Sequence, residues 1–220
     1  MEKFWIGFGD IHEDLSLLSE IPELEAADGV IISGDITNGA GTRRASELLE
    51  DVYRINPNIY AQIGNMDHAE ITTYLDERGW NIHARGRQLA DGVGIMGVGY
   101  STPTPFMTPS EVSDAKLTQW LKEGYDDVRH LQKLVLVAHD PPFGSKAAKL
   151  PHGENVGNRA VLEFINLAQP NICITGHIHE AASEDYIGRT KVINPGMFCK
   201  GGYVLVQLKN DELDARLMYI

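Results

Sequence analysis

The chain has 220 residues, enough for one well-buried domain near the upper end of ordinary domain size. Its hydrophobic share of 43% and charged share of 23% are those of a soluble globular protein. The net charge of −12, with no basic cluster larger than the pair Arg43-Arg44 and the spaced Arg85 and Arg87, disfavours extended nucleic-acid binding, which needs grouped cations to displace counterions.

The elements read in chain order as an alternation of short apolar runs and amphipathic stretches, the pattern of an α/β fold. A first strand runs from Phe4 to Gly9, with a short helix around Leu15 to Ser19 and a buried second strand at Gly29 to Ile32. Ala45, Leu48, Leu49 and Val52 recur at helical spacing and predict a helix over 42–55. Pro57 marks the break before a third strand, Ile59 to Ile63, and Glu70 to Arg78 reads as a helix ending at Gly79. Strands follow near Arg87 to Ala90 and Val93 to Val98. Pro103, Pro105 and Pro109 make residues 101–110 a loop, and Ser113-Asp114 opens a helix carrying Leu117, Trp120 and Leu121. Leu134 to Ala138 is another buried strand, and 140–157 is a long loop. A helix from Arg159 to Leu167 leads to the strand Ile172 to Thr175. Four late strands, 185–187, 191–193, 203–208 and 213–219, close the chain. Early βαβ units followed by late β structure predict two stacked mixed sheets flanked by helices, in one domain spanning 1–220.

Cys173 lies in an apolar run and reads as a buried strand residue, and Cys199 is far from it, so no disulfide framework is expected. The apolar stretch at the N-terminus is too short for a signal-peptide core, and no window approaches membrane-spanning length. The expectation is a cytoplasmic protein without membrane contact.

Five apolar strands end in ligand-type residues: Gly9-Asp10-Ile11-His12, Ser33-Gly34-Asp35, Gly64-Asn65-Met66-Asp67-His68, Ala138-His139-Asp140 and Gly176-His177-Ile178-His179. Sites in α/β sheets form in the crevice beyond the carboxyl ends of strands, so the five ends are expected to converge. Taken singly, each residue has a plainer reading: a lone His is more often structural, Asp10 and Asp35 are good helix N-caps, and Gly64-Asn65 is a common turn pair. His12, His139, His177 and His179 together, four of the eight histidines, favour ligation instead. His nitrogens with carboxylate oxygens suit Mn, Fe, Zn or Ni. Two such ions roughly 3.5–4 Å apart can clamp a phosphoryl centre and generate a hydroxide nucleophile at neutral pH, with a shared carboxylate offsetting their repulsion.

The order D-x-H, G-D, G-N, H, G-H-x-H resembles the calcineurin-like metallophosphoesterases over Asp10 to His179, and Asn194-Pro195-Gly196 adds a turn seen in small members. The segment from His139 through Pro141-Pro142 to Gly176-His177-Ile178-His179-Glu180 looks most like the small prokaryotic branch related to cyclic-nucleotide phosphodiesterases. The resemblance implies a four-layer α/β/β/α sandwich. It implies that Asp10, His12 and His179 bind one metal, that Asn65, His139 and His177 bind a second, and that Asp35 bridges them. The implied cofactors are two divalent ions, Mn foremost with Fe, Zn and Ni as alternatives. The implied reaction is hydrolysis of small-molecule phosphodiesters, or else phosphomonoesters, by a metal-bound hydroxide. The competing readings are a non-catalytic interaction protein on the same fold, such as the retromer subunit that resembles this family, a nuclease, and a protein phosphatase.

There is one departure. Family members often carry a His directly after the G-N asparagine, where it meets the phosphate or leaving group; here Met66 stands there and can neither donate a proton nor carry charge. Asp67, which would orient that His, remains, and the following His68 is the candidate replacement acid. Asp140 is expected to orient the adjacent ligand. Lys146 and His152 are candidates for substrate contact, and Phe106 and Met107 for a pocket wall, each against the plainer reading of a solvated loop. His83 and His130 carry no functional signal.

Overall fold

The structure, a computed structural model, describes residues 2–220. Eleven strands and four α-helices, counted among the described residues, follow the expected order. They are β1 (Lys3–Phe8), β2 (Gly29–Ile32), α1 (Thr42–Ile55), β3 (Ile59–Ala61), α2 (Glu70–Glu77), β4 (Gly86–Ala90) and β5 (Val93–Val98). The second half adds α3 (Asp114–Val128), β6 (Lys133–Ala138), α4 (Arg159–Ala168), β7 (Ile172–Thr175), β8 (Ser183–Ile187), β9 (Thr190–Asn194), β10 (Gly202–Lys209) and β11 (Glu212–Tyr219).

The strands form two mixed sheets. One has the order β11-β10-β1-β2-β3, parallel across β1, β2 and β3 and antiparallel across β1, β10 and β11. The other has the order β4-β5-β6-β7-β9-β8, with a parallel centre and antiparallel edges at β4 and β8. Strand alternation sorts the side chains into three apolar layers. Trp5, Ile31, Val135, Val137, Ile174, Val204 and Val206 fill the space between the sheets. Val30 and Ile32 face the other way, onto Leu48, Leu49 and Val52 of α1 and Ile71 and Leu75 of α2. Leu134, Leu136 and Cys173 likewise cover Leu117 and Leu121 of α3 and Val161 and Ile165 of α4. This is an α/β/β/α sandwich. Cys173 is fully buried, which pushes its thiol up to about 12 and leaves it a core residue. Among the described residues, no helix is long and apolar enough to cross a membrane.

Most element ends shift by one or two residues from the sequence reading, and the expected helix around Leu15 to Ser19 is absent. The stretch 15–19 is a chain of turns ending in a single 3-10 turn at Leu18–Glu20. Asp14 caps the Ser16 N–H at 2.9 Å and Pro22 follows, so no continuous helix develops. The third strand stops at Ala61, although the Gln62 N–H still reaches the Ile32 carbonyl at 3.2 Å, and the Gln62 side chain donates to the Ser33 and Val98 carbonyls.

Candidate metal centre

The carboxyl ends of β1, β2, β3, β6 and β7 come together at one edge of the sandwich. Their continuing segments are laced to one another: Asp10 N–H donates to Gly34 O and His12 N–H to Asp35 O, both at 2.9 Å, and Gly176 N–H donates to His139 O at 3.1 Å. Asp10, Asp35, Asn65 and His139 are buried there, and His12, His177 and His179 are half-buried at the rim. Neither Asp10 nor Asp35 caps a helix; Gly41 stands at the N-terminus of α1.

Four of these residues adopt left-handed backbone: Asp10 (φ 47°), His12 (47°), Asp35 (51°) and His177 (68°). That conformation costs a non-glycine residue about 1–3 kcal/mol and persists where the surroundings impose it, typically at functional sites. Glycines make the room. A Cβ on Gly64 would run into Asp35 Oδ1, and one on Gly176 into Asp10 Oδ2.

The donor atoms form two adjoining groups. In the first, His12 Nε2 and His179 Nε2 face each other at 2.9 Å, His179 Nε2 lies 3.3 Å from Asp10 Oδ1, and His12 Nε2 lies 3.6 Å from Asp35 Oδ2. One donor atom from each of Asp10, His12, Asp35 and His179 fits within 4.8 Å of the others. In the second, Asn65 Oδ1 lies 2.9 Å from His139 Nε2 and 2.7 Å from His177 Nδ1, and His139 Nε2 lies 3.4 Å from Asp35 Oδ1. Asp35 touches both groups, one oxygen to each.

Hydrogen bonds outside the cluster orient the rings. The Asn38 amide donates to the His12 carbonyl at 3.0 Å, which leaves Asn38 Oδ1 to accept from His12 Nδ1 at 2.8 Å. His139 Nδ1 faces the Ser33 carbonyl at 3.1 Å, an acceptor only. Both rings therefore keep an N–H on Nδ1 and turn Nε2 inward as the nitrogen left for a cation, the arrangement that outer partners impose on metal-ligating imidazoles. Electrostatics point the same way. Burial pushes the Asp35 carboxyl up, but His139 and His12 together hold it below its usual range. Burial disfavours the His139 cation, but the Asp35 charge outweighs it and raises the pKa. Burial lowers the His177 pKa. For His179 the hydrogen bond and charge of Asp10 overcome burial and raise it. Ionised carboxylates that draw protons onto the neighbouring imidazoles make a site that attracts positive charge, and a cation would take the place of those protons.

A sequence model described as "Metallophosphoesterase, calcineurin superfamily" matches residues 115–218. The chain is 30% identical over 198 residues to the uncharacterized protein MJ1162 of Methanocaldococcus jannaschii, covering 86% of each. The chain belongs to the calcineurin-like metallophosphoesterases. Three solved structures share the fold of this metallophosphoesterase. TT1561 of Thermus thermophilus has a TM-score of 0.72 at 17% identity, over 98% of this chain and 99% of that one. GAP50, described as the anchor in the inner membrane complex of Plasmodium, has a TM-score of 0.66 at 13% identity, over 99% and 84%. A 5'-nucleotidase from Candida albicans has a TM-score of 0.54 at 11% identity, over 98% of this chain and 51% of its own.

A metallophosphoesterase is a metal-dependent hydrolase of phosphoric esters, and the donor set here fits divalent cations. It offers imidazole nitrogens and carboxylate and amide oxygens without thiolate, and glycines keep its inner wall free of bulk.

The other sequence candidates make contacts of their own. Asp67 is buried and accepts from Ile36 N–H, Thr37 N–H, the Thr37 hydroxyl and Gly64 N–H, so it ties the second and third strand ends together and does not orient an imidazole. Burial, aided by the Asp35 charge, raises its pKa against those bonds. His68 is exposed, with Nε2 3.0 Å from the Gly39 carbonyl. Asp140 accepts from the Thr102 backbone and hydroxyl and from Asn158, so it fastens loop 101–110, while Ser33 orients His139. Lys146 pairs with Asp185, and His152 faces Glu154 at 3.1 Å. Phe106 and Met107 are exposed at the tip of loop 101–110. Sequence reasoning missed Asn38, which does not stand at a strand end and is revealed only by its contacts with His12 across the fold.

Proposed function

We propose that this metallophosphoesterase holds two divalent cations and hydrolyses small-molecule phosphodiesters. In this reading Asp10, His12 and His179 serve one cation, Asn65, His139 and His177 serve the other, and Asp35 is shared. The observation that carries the reading is the Asp35 carboxylate, whose Oδ2 faces His12 Nε2 at 3.6 Å and whose Oδ1 faces His139 Nε2 at 3.4 Å. A single carboxylate reaching both groups is what two mutually repelling cations need. Mn is the expected metal, with Fe, Zn and Ni as alternatives, because the donors are nitrogen and oxygen. When bound, such ions polarise a phosphoryl oxygen and lower the pKa of a water.

The chain's own residues hold and aim. Asn38 and Ser33 fix the tautomers of His12 and His139. The Met66 N–H donates to Asp35 Oδ1 at 2.8 Å and steadies the shared carboxylate. Met66 also supports the diester preference. Its half-buried thioether supplies neither the positive charge that would compensate a monoester dianion nor a proton for a poor leaving group. Asp67 and His68 are committed to Gly64, Ile36, Thr37 and Gly39, so in this reading their role is to hold the backbone around Asn65. The net charge of −12 without a basic cluster favours a small substrate over a nucleic acid.

The test is elemental analysis after reconstitution with Mn²⁺, Ni²⁺ and Zn²⁺ in turn. Each form is then assayed on cyclic nucleotides, linear diesters and monoesters sharing one leaving group. Two metals per chain and a higher kcat/KM for diesters are expected. One metal or none, or a preference for monoesters, would overturn the reading.

A further inference from the structure

Asn65 presents a choice that the metal reading leaves open, and the inference here rests on that reading. A side-chain amide can face the site with its oxygen or with its NH₂ group. His139 Nε2 lies 2.9 Å from the Asn65 amide, and a ring that is to take a cation on this nitrogen must leave it unprotonated. His177 Nδ1 lies 2.7 Å from the same amide atom. Against such unprotonated ring nitrogens a flipped amide would donate and close the group as a hydrogen-bonded cluster with no oxygen for a cation.

The other end of the amide lies 3.0 Å from the Thr108 hydroxyl. By itself a hydroxyl accepts as readily as it donates and would tolerate either orientation. Glu111 removes that freedom. Its Oε1 accepts from the Thr108 hydroxyl at 2.7 Å, from the Thr108 N–H at 2.8 Å and from the Thr104 hydroxyl at 2.6 Å. With its proton held by Glu111, the Thr108 oxygen turns only lone pairs toward Asn65. A flipped Asn65 would set its oxygen against them. We infer that Thr108, polarised by Glu111, selects the amide orientation of Asn65 and so delivers Oδ1 to the second cation. Burial raises the Glu111 carboxyl, but the bonds from Thr104 and Thr108 outweigh it and hold it at about 2, so the acceptor stays ionised. The loop that carries Thr108 is anchored beside Asn65, where Ser110 N–H donates to the Asn65 carbonyl at 2.9 Å and the Ser110 hydroxyl donates to the Asp67 carbonyl. Thr108 and Glu111 are positioning residues, acting on the metal through Asn65.

The experiment is calorimetric titration of the metal-free protein with Mn²⁺, with elemental counting, on wild type, Thr108→Val, Thr108→Ser and Glu111→Gln. Removing an outer partner of a metal ligand typically weakens binding about 10–100-fold. Thr108→Val should weaken one Mn²⁺ by that factor and leave the other unchanged. Thr108→Ser should bind as wild type, and so should Glu111→Gln, whose amide oxygen can still accept the Thr108 proton. Thr108→Ala carries the test if the valine variant does not fold. Two wild-type affinities in Thr108→Val, or equal losses at both sites, would overturn the inference. Fewer than two metals in wild type would overturn the two-metal reading itself and is seen before any variant is made.

Discussion

The pH dependence of stability should carry the mark of one buried histidine away from the metal ligands. His83 is 7% exposed, edge-on to Trp120 with ring centroids 4.4 Å apart, and 5.2 Å from Tyr100. Its Nδ1 accepts the Gly99 N–H at 3.0 Å, so a proton there would confront another donor. Burial lowers its pKa from 6.5 to about 4; the Asp76 charge opposes this, and Lys116 and Arg85 add to it. Between those values the unfolded chain binds the proton and the folded chain does not. The contribution is therefore complete above pH 6.5 and drains as pH falls through the folded value. The gap from 6.5 to about 4, at about 1.36 kcal/mol for each step of one in pH, amounts to about 3 kcal/mol, a substantial part of the roughly 5–15 kcal/mol that holds an ordinary domain together. Urea unfolding from pH 7.5 to pH 4, in chelator so that no cation contributes, measures it in wild type and in His83→Gln. The Gln oxygen can still accept from Gly99, and the carboxylates and imidazoles of the metal centre titrate in both proteins and cancel in the difference. Wild type should lose about 3 kcal/mol more than the variant across the window. Parallel curves would refute the argument.

Asp35→Ala should abolish both metals while Asn65→Ala loses one, as counted by elemental analysis; equal losses would show that Asp35 is not shared. Mn²⁺ at a hundredfold excess over its dissociation constant should stabilise the protein by about 2.7 kcal/mol, reversibly with chelator, as a rise in Tm. Gly64→Ala, whose new methyl would run into Asp35 Oδ1, should lose Mn²⁺ and about 1–3 kcal/mol of stability; unchanged titration and melting would mean that the segment moves aside without strain. Met66→His should raise the monoester-to-diester ratio of kcat/KM, with the general-acid share worth up to about 10²–10⁴-fold, while His68→Ala should leave the ratio unchanged because His68 faces Gly39. A fall in that ratio for His68→Ala would instead make His68 the acid.

The parts of the molecule legible in the sequence are those with a local cause. The 3.6-residue spacing of Ala45, Leu48, Leu49 and Val52 marks α1 to both ends because that face alone is buried. The continuous apolar runs of β2, β6 and β7 are readable because both faces of the inner strands are covered. The candidate ligands are legible for a related reason: polar residues directly after a buried strand must leave the core at the sheet's carboxyl edge, whatever the rest of the chain does. Illegible are features whose cause lies far along the chain. No local signal gives Asp10, His12, Asp35 and His177 left-handed backbone; the glycines that announce special conformations stand beside them, at 9, 34 and 176.

Two carboxylates show why adjacency in sequence is a poor guide to partnership at such a site. Asp67 stands where it would orient the imidazole that Met66 replaces, and Asp140 directly follows His139 and is the natural choice to orient it. Each strand end bends sharply, and consecutive side chains then leave in different directions. Asp67 turns back onto the Ile36, Thr37 and Gly64 N–H groups, and Asp140 onto Thr102 and Asn158. The residues that do orient the cluster come from other segments: Ser33 for His139, 106 residues away, Asn38 for His12, 26 away, and Thr108 for Asn65, 43 away. The donors are set by the ends of five strands, whereas their protonation and aim are set by whichever loop the fold lays across them. A change in loop 101–110 can therefore alter metal affinity with all seven candidate ligands intact.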